Sequence, residues 1–203
     1  IDCDLHWGQM HVAIKPRHET ELKAWREELV EKYGYTSLQW LEQPQGRELL
    51  ATERYLGGLL DTRSGHLHPL NYTLGLAAAA AAAGVKIYEQ AMVVGVEHGA
   101  TVKLRTAGGH SVRARHVALC CNAFIDEKIS KKLRDRIMPV GTYIIATERL
   151  GQARVESLLR ENVAVSDVNF VLDYFRRSDD HRLLFGGRVS YSGRDARNTA
   201  KAT

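Results

Sequence analysis

Seven consecutive alanines, Ala77–Ala83, constrain the fold of this chain more than any other feature of its 203 residues. Alanine has the highest helix propensity of the amino acids and a very small side chain. Pro69 stands where prolines occur in the first turn of a helix, and Gly84 follows the last alanine as a stop signal. We therefore predict a slim helix from Pro69 to Gly84 that can lie close against a sheet or another backbone.

The residues before this helix predict a strand followed by a helix. Apolar residues occupy alternate positions in residues 4–15, which is the spacing of a half-buried strand. They then recur at helical spacing between Pro16 and Gly34, where glycine is a typical C-terminal cap. A second, short helix is predicted near residues 45–52, and residues 55–69 are predicted as loop and strand pieces.

After Gly84 the apolar period changes to two, which predicts short strands separated by glycines. These strands lie near residues 85–88, 92–96, 102–106 and 112–121. Residues 117–121 are apolar on both faces, so we expect them in a covered sheet. Cys120 and Cys121 would point to opposite faces of that strand, which makes them two small buried side chains and not a disulfide.

The remaining residues predict more strands and two helices. The helices lie near residues 129–136 and 151–160, and the strands near residues 138–147, 169–176 and 182–187. The last two strands are predicted to form a hairpin around residues 178–181, and the polar tail from Ser190 to Thr203 is expected to fray. Together the pattern predicts an α+β fold with a mainly antiparallel sheet that helices cover on one face.

Composition argues against several classes of protein. The net charge of +4 is small and spread along the chain, which favours solubility over nucleic-acid binding. The longest stretch without Asp, Glu, Lys, Arg or His, Pro69–Val85, is rich in alanine and shorter than the ~20 strongly apolar residues of a membrane span. Three cysteines are too few for a disulfide framework, so a cytoplasmic protein is expected. The chain opens with Ile1, without Met or a signal peptide, and we expect it to belong to a longer protein.

General motifs of catalysis are absent from the sequence. It contains no G-x-G-x-x-G, no G-x-x-x-x-G-K-[ST] and no G-x-S-x-G. His66 and His68 could point to one side of an extended segment, but no third ligand lies at a telling distance, and zinc needs three or four. We therefore predict no metal site and expect these histidines to form hydrogen bonds in a loop.

Five segments, in this order, resemble the glycine oxidase/D-amino acid oxidase superfamily of FAD-dependent amine oxidoreductases. They are residues 1–5, 54–72, 117–124, 138–148 and 169–187. Within that superfamily the chain is similar to the gamma-glutamylputrescine oxidase branch. The match is collinear and extends over nearly the whole chain, and the order of the segments supports the resemblance more than any one of them does.

The resemblance implies a domain organisation and a cofactor. Residues 1–65 and 127–203 would form two parts of a substrate domain, and residues 66–126 a β-rich partial segment of the FAD-binding domain. Such enzymes hold the FAD pyrophosphate at a glycine-rich turn before a helix, and this sequence has no such turn. We therefore expect the full-length enzyme to contain FAD. We do not expect these residues alone to bind FAD tightly.

The resemblance also implies cofactor-binding residues. In the family, the strand that contains Val93 uses its backbone amide and carbonyl against adenine. A motif resembling Ala-Thr-Gly-Ala-Trp, whose small residues approach the cofactor, aligns with residues 120–124 and so selects Cys121 and Asn122. Asn122 stands where glycine is usual, and asparagine tolerates left-handed φ angles, so the backbone shape is expected to survive. That Val93 is a plain core valine is an alternative the sequence leaves open.

The implied reaction is oxidative deamination of an amine or amino acid by hydride transfer to the flavin, with gamma-glutamylputrescine as one substrate. A gamma-glutamyl amine needs a cation for its carboxylate and aromatic walls for its methylene chain. Tyr174 and Arg176 lie on one face of the predicted strand 170–176, and we expect both to face the flavin. The alternative is that Arg176 is a surface charge at the end of a hairpin. No catalytic residue is assigned.

A second function remains open from the sequence alone. Without the phosphate-binding motif, the chain could be a non-catalytic domain that binds a small molecule or a partner chain. Apolar surface facing the rest of the FAD domain would then favour a homo-oligomer. Nucleic-acid binding is not expected, because no basic stripe with interleaved aromatic residues is present.

Overall fold

The computed structural model describes residues 1–191, which divide into two compact units. One unit contains Ile1–Ala79 and Thr142–Ser190, and the other is built from Ala80–Gly141. The assignment of these segments to a substrate domain and an FAD-binding domain stays a prediction. Among the described residues, no helix is long and apolar enough to cross a membrane.

The described residues contain five α-helices, ten strands and a short 3-10 helix at Asn122–Phe124. The helices are α1 (Pro16–Tyr33), α2 (Gln43–Leu49), α3 (Pro69–Ala82), α4 (Glu127–Arg134) and α5 (Gln152–Leu158). The strands are β1 (His6–Ala13), β2 (Leu38–Glu42), β3 (Gly57–His66), β4 (Val93–Glu97), β5 (Val102–Thr106), β6 (Ser111–Ala114), β7 (Gly141–Ala146), β8 (Ala164–Asp167), β9 (Tyr174–Arg177) and β10 (Leu183–Ser190).

Among the described residues, seven strands form the main sheet, in the order β2-β3-β1-β8-β9-β10-β7. Neighbouring strands are antiparallel at β2–β3, β3–β1, β8–β9 and β9–β10, whereas β1 and β8 are parallel. The predicted α+β fold with a mainly antiparallel sheet is therefore confirmed. The predicted hairpin is also confirmed, since the Ser178 amide donates to the Arg182 carbonyl at 3.0 Å between β9 and β10.

The two faces of this sheet are different because successive side chains of a strand point to opposite sides. Met10 and Val12 of β1 are fully buried and belong to a core cluster with Val165 of β8 and Leu159. Gln9 and His11, which alternate with them, lie on the other face. There, α1 contacts β1 and β3, and the ring of Trp25 meets His11 edge-on with centroids 5.2 Å apart.

Helix α1 begins and ends where the sequence predicts. Pro16 occupies the first turn, and Gly34 adopts a left-handed conformation with φ of 62°. The Gly34 cap satisfies carbonyls of the last turn, because N–H groups at the cap donate to the carbonyls of Leu29 and Val30. Leu22 is the buried apolar residue of the helix, while Tyr33, at the end of its predicted apolar stripe, is exposed.

The loop before β9 differs from its prediction. The strand predicted over residues 169–176 begins only at Tyr174. Asp167 is buried, and its carboxylate accepts hydrogen bonds from the amides of Asn169 and Asp173 at 3.0 and 3.3 Å. Because aspartate side chains compete in this way for backbone N–H groups, residues 168–173 fold into a loop instead of a strand.

The second unit contains a three-stranded antiparallel sheet, β4-β5-β6, with α4 against β4. The strand predicted near residues 85–88 is wrong, and the strand predicted over 112–121 is present only as β6, because residues 117–121 pair with no strand among the described residues. A strand is stable only when neighbouring strands accept its backbone hydrogen bonds. Cys120 and Cys121 are consequently exposed free thiols, not the small buried residues that the apolar pattern predicted.

The alanine helix is present as predicted and is named α3. It begins at Pro69, ends at Ala82 and is followed by Gly84 with φ of 88°. No residue of α3 is buried within the described part of the chain. The alanine side chains make α3 slim, while the expected close approach to a sheet or backbone stays a prediction.

Candidate functional site

An open cleft of about 1120 Å³ lies in the first unit, beside strands β8, β9, β10 and β7. Its floor contains side chains from the sheet face opposite the core cluster. Its rim comes from the segment between β3 and α3 and from the β9–β10 hairpin. The lining residues are Asp4, Gln9, residues 67–69, Asn71, Ile144, residues 164–166, residues 174–176, residues 178–180, Arg182, Leu184 and Gly186.

The register of three strands places Tyr174 at the floor of the cleft. Tyr174 pairs with Ser166 of β8 on one side and with Gly186 of β10 on the other. A Cβ atom on Gly186 would overlap the Tyr174 ring, so glycine at this position lets the ring lie across β10. Behind it, Phe175 stacks on Phe185 with ring centroids 5.8 Å apart.

Arg176 lines the same cleft, two residues along β9. Its Nη2 donates to the Leu67 carbonyl at 3.2 Å, and its Nη1 lies 3.3 Å from the Arg177 carbonyl and 3.4 Å from His66 Nδ1. Burial lowers the pKa of the guanidinium, and the carboxylates of Asp179 and Asp4 oppose that shift. The structure therefore brings together the two residues that the sequence selects for substrate binding, and it ties Arg176 to the loop before α3.

Histidines fix the loop and strand ends beside Arg176. His66 Nε2 is 3.0 Å from the Asn162 carbonyl, and His6 Nε2 is 2.7 Å from Asp179 Oδ1. Burial lowers the pKa of His66, and the Asn162 carbonyl opposes that shift. His68 Nδ1 accepts from the Asn71 amide at 3.3 Å, at the start of α3. His66 and His68 form hydrogen bonds as predicted, although His66 is the last residue of β3 and not part of a loop. The described residues contain no cluster of three His, Cys, Asp or Glu suited to a metal.

The β9–β10 hairpin at the cleft rim is held by an ionic cluster. Asp180 accepts from Ser178 Oγ at 2.6 Å and from Arg182 Nε at 2.8 Å, and Arg149 Nε lies 3.3 Å away. These hydrogen bonds hold the pKa of the Asp180 carboxyl well below its ordinary value. Arg182 also donates to the Thr147 carbonyl at 2.7 Å, which connects the hairpin to the end of β7.

Sequence reasoning missed a polar network on the cleft floor. Ser166 Oγ lies 3.2 Å from His11 Nδ1 and accepts a hydrogen bond from Gln9 Nε2, also at 3.2 Å. Burial lowers the pKa of His11, and the carboxylate of Asp61 opposes that shift. The available signal was the alternation in β1, where polar Gln9 and His11 interrupt apolar Met10 and Val12. The partner strand β8 was not predicted at all.

The residues expected to contact the cofactor lie in the second unit. Val93 is half-buried at the start of β4, where the register with β5 shifts between Val93 and Gly95. Cys121 and Asn122 are exposed. Asn122 has φ of 48°, which is the left-handed conformation expected of a residue that stands in place of glycine. The three residues are therefore placed, and their role in binding stays a prediction.

Comparisons with known proteins extend over the whole chain. A model of the family DAO, FAD dependent oxidoreductase, matches residues 1–203. The chain is 40% identical over 195 residues to gamma-glutamylputrescine oxidoreductase of Escherichia coli, covering 96% of this chain and 45% of that protein. It is also 40% identical over 194 residues to the probable oxidoreductase OrdL of Haemophilus influenzae, covering 94% of this chain and 45% of that protein. The chain thus spans a little under half the length of these relatives.

Solved structures share the fold at low sequence identity. Glycine oxidase from Geobacillus kaustophilus superposes with a TM-score of 0.75 at 20% identity, covering 96% of this chain and 51% of that one. L-proline dehydrogenase from P. horikoshii superposes with a TM-score of 0.74 at 14% identity, covering 95% of this chain and 52% of that one. At these identities, the likeness establishes the fold and not the substrate.

Proposed function

The chain belongs to the DAO family of FAD-dependent oxidoreductases, and from that premise we propose that the protein containing it oxidises an amine, with gamma-glutamylputrescine as substrate. The observation that supports this proposal is the cleft, which joins an aromatic floor to charges of both signs. Tyr174 lies at its floor, Arg176 and Arg182 supply cations, and Asp4 and Asp179 supply carboxylates. The 40% identity to a gamma-glutamylputrescine oxidoreductase favours this substrate.

The chemistry of gamma-glutamylputrescine matches this arrangement. The molecule has a zwitterionic glutamyl end, a methylene chain and a terminal amine. A guanidinium has five N–H donors, and the three acceptors beside Arg176 leave donors for a substrate carboxylate. The Tyr174 ring provides apolar surface for the methylene chain. Arg176 would therefore bind and orient the substrate through its carboxylate.

FAD, when bound, supplies the acceptor for the hydride that leaves the carbon bearing the amine. Cys121 is exposed and has a small side chain, and Asn122 adopts a left-handed φ of 48°, so this turn fits a close approach of the cofactor. Val93 would contribute its backbone amide and carbonyl. The 203 residues contain no glycine-rich phosphate-binding turn, so we expect these residues alone not to bind FAD tightly.

The proposal is tested by replacing Arg176 with Ala in the full-length flavoenzyme. We expect KM for gamma-glutamylputrescine to rise about 10- to 100-fold, because a charge-assisted hydrogen bond to the carboxylate is lost. Putrescine, which has no carboxylate, should show no change. Arg63→Ala, at an exposed position of β3, is the matched control. An unchanged kcat/KM for gamma-glutamylputrescine in the Arg176→Ala variant would contradict the assignment.

A further inference from the structure

The hydroxyl of Ser166 is held in a defined orientation on the cleft floor. Ser166 is 9% exposed and lines the cleft together with Gln9. It lies directly opposite His11 in the parallel pairing of β8 with β1. Gln9 Nε2 donates to Ser166 Oγ at 3.2 Å, and His11 Nδ1 lies 3.2 Å from the same oxygen. Two side chains of β1 therefore fix one hydroxyl of β8.

Hydrogen-bond accounting shows what this hydroxyl can still bind. A serine hydroxyl has one proton to donate and two lone pairs that accept. Gln9 occupies one lone pair, and in the tautomer of neutral His11 that carries its proton on Nε2, Nδ1 accepts the serine proton. One lone pair then remains for a donor in the cleft. The N–H group of an amine is such a donor.

The surroundings of His11 suit a group that is neutral at rest and takes a proton transiently. Burial lowers the pKa of His11, so the imidazole is neutral near pH 7. On β3, the carboxylate of Asp61 opposes that shift and would stabilise an imidazolium. On α1, Trp25 presents its ring to His11 edge-on. The charged groups that line the cleft are Asp4, Arg176, Asp179, Asp180 and Arg182.

We propose that Ser166 and His11 form a proton relay that deprotonates the ammonium group of the substrate before its oxidation. This inference rests on the proposed function. An alkylammonium has a pKa of about 10 and is protonated near neutral pH, whereas hydride leaves readily only from a carbon that bears a neutral amine. In the relay, an N–H bond of the ammonium breaks and its proton binds Ser166 Oγ. The original hydroxyl proton moves to His11 Nδ1, so the products are a neutral amine and an imidazolium.

The relay is tested in the full-length flavoenzyme with His11→Asn and Ser166→Ala. Asparagine keeps an acceptor near the position of Nδ1 but cannot take a proton. His110→Asn, at the exposed β5–β6 turn, is the matched control. The measurement is the rate of flavin reduction by gamma-glutamylputrescine without oxygen, from about pH 6 to about pH 11. We expect both variants to be reduced about 10- to 100-fold more slowly near pH 7 and to regain speed above about pH 10, where the free amine binds.

A second readout follows His11 itself. In enzyme with labelled histidine nitrogens and flavin reduced beforehand, gamma-glutamylputrescine binds without being consumed. We expect the His11 ring nitrogen resonances to shift on binding near pH 7 while the imidazole stays neutral at rest, because an amine that donates to Ser166 Oγ strengthens the hydrogen bond between Ser166 and His11. Ser166→Ala should abolish this change. His11 resonances that do not respond to binding, or variants that retain the wild-type pH profile, would overturn the relay. Wild-type enzyme whose flavin no amine reduces would overturn the proposed function and the relay with it.

Discussion

The two compact units differ in how much of their apolar surface is buried. Of the fourteen buried hydrophobic residues in the described part of the chain, thirteen lie in the unit of Ile1–Ala79 and Thr142–Ser190, and Ile125 lies in the other unit. Apolar residues are frequent in both. In the first unit, strands and helices distant in sequence cover one another. An apolar pattern therefore leads to burial only where another strand or helix packs against the apolar face.

The second unit shows the consequence in its exposed segments. Val85, Ile87 and Tyr88 are more than half exposed, and Leu119 is 40% exposed. The sequence pattern predicts strands at residues 85–88 and 117–121, yet neither segment pairs with a strand among the described residues. The relatives that match this chain are about twice as long. We therefore expect these segments to be covered only in a longer protein.

The largest effect is expected from a pair of leucine truncations, one in each unit. Leu159→Ala should lower the free energy of unfolding by about 2–5 kcal/mol, because it leaves a cavity in the core cluster. Leu119→Ala should lower the free energy of unfolding by no more than about 0.5 kcal/mol, because the side chain is exposed. Denaturant unfolding of both variants measures the difference. Equal losses would mean that the contrast in burial does not reflect stability.

A smaller effect is expected from buried and exposed carboxylates. Asp61 is 8% exposed and accepts hydrogen bonds from Tyr35 Oη and Ser64 Oγ at 2.8 and 2.6 Å, and from the Arg63 amide at 3.0 Å. Asp61→Asn should lower the free energy of unfolding by about 2 kcal/mol, because it weakens hydrogen bonds to a buried carboxylate. In the second unit, Glu97 is an exposed ion-pair partner of Arg105. Glu97→Gln should therefore lower the free energy of unfolding by less than about 1 kcal/mol.

The stability supplied by Asp61 should also depend on pH. Burial alone would raise the pKa of Asp61, but its hydrogen bonds outweigh that effect and lower the pKa below 3.8. Since the folded pKa is below the unfolded one, the stabilisation is present above about pH 4 and is lost as pH falls through the folded pKa. Free energies of unfolding at several pH values should show this loss in the wild type and not in Asp61→Asn. Identical profiles would contradict the assignment.

The smallest effect concerns the turn at Asn122. Its φ of 48° is unfavourable for residues with a Cβ, and asparagine tolerates it better than alanine does. Asn122→Ala should lower the free energy of unfolding by about 1 kcal/mol, whereas Asn122→Gly should be neutral or slightly stabilising. Thermal unfolding of the two variants compares them. A loss in both would indicate that the asparagine side chain, and not the backbone conformation, stabilises this unit.

Sequence patterns predicted the features that depend on residues close together in the sequence. The boundaries of α1 and α3 followed from a proline in the first turn and a glycine after the last, and the β9–β10 hairpin from its polar turn. Tyr174 and Arg176 were selected from one short strand, and both line the cleft.

The features that were missed depend on residues far apart in the chain. Strands β2 and β8 are short, and their pairing with β3 and β1 stabilises them more than their own composition does. Local patterns cannot predict such pairing, because hydrogen bonds between strands join residues of any sequence separation.

The sequence by itself determined the helix ends, the tight turns and the family of this protein, because these depend on local backbone preferences and on ordered motifs. Only the tertiary structure decided which apolar segments are buried and which polar side chains meet. Ser166 and His11 are 155 positions apart and become neighbours through the parallel pairing of β8 with β1. These two residues meet because β8 lies beside β1 in the sheet. The order of strands in a sheet cannot be predicted from the residues of one strand.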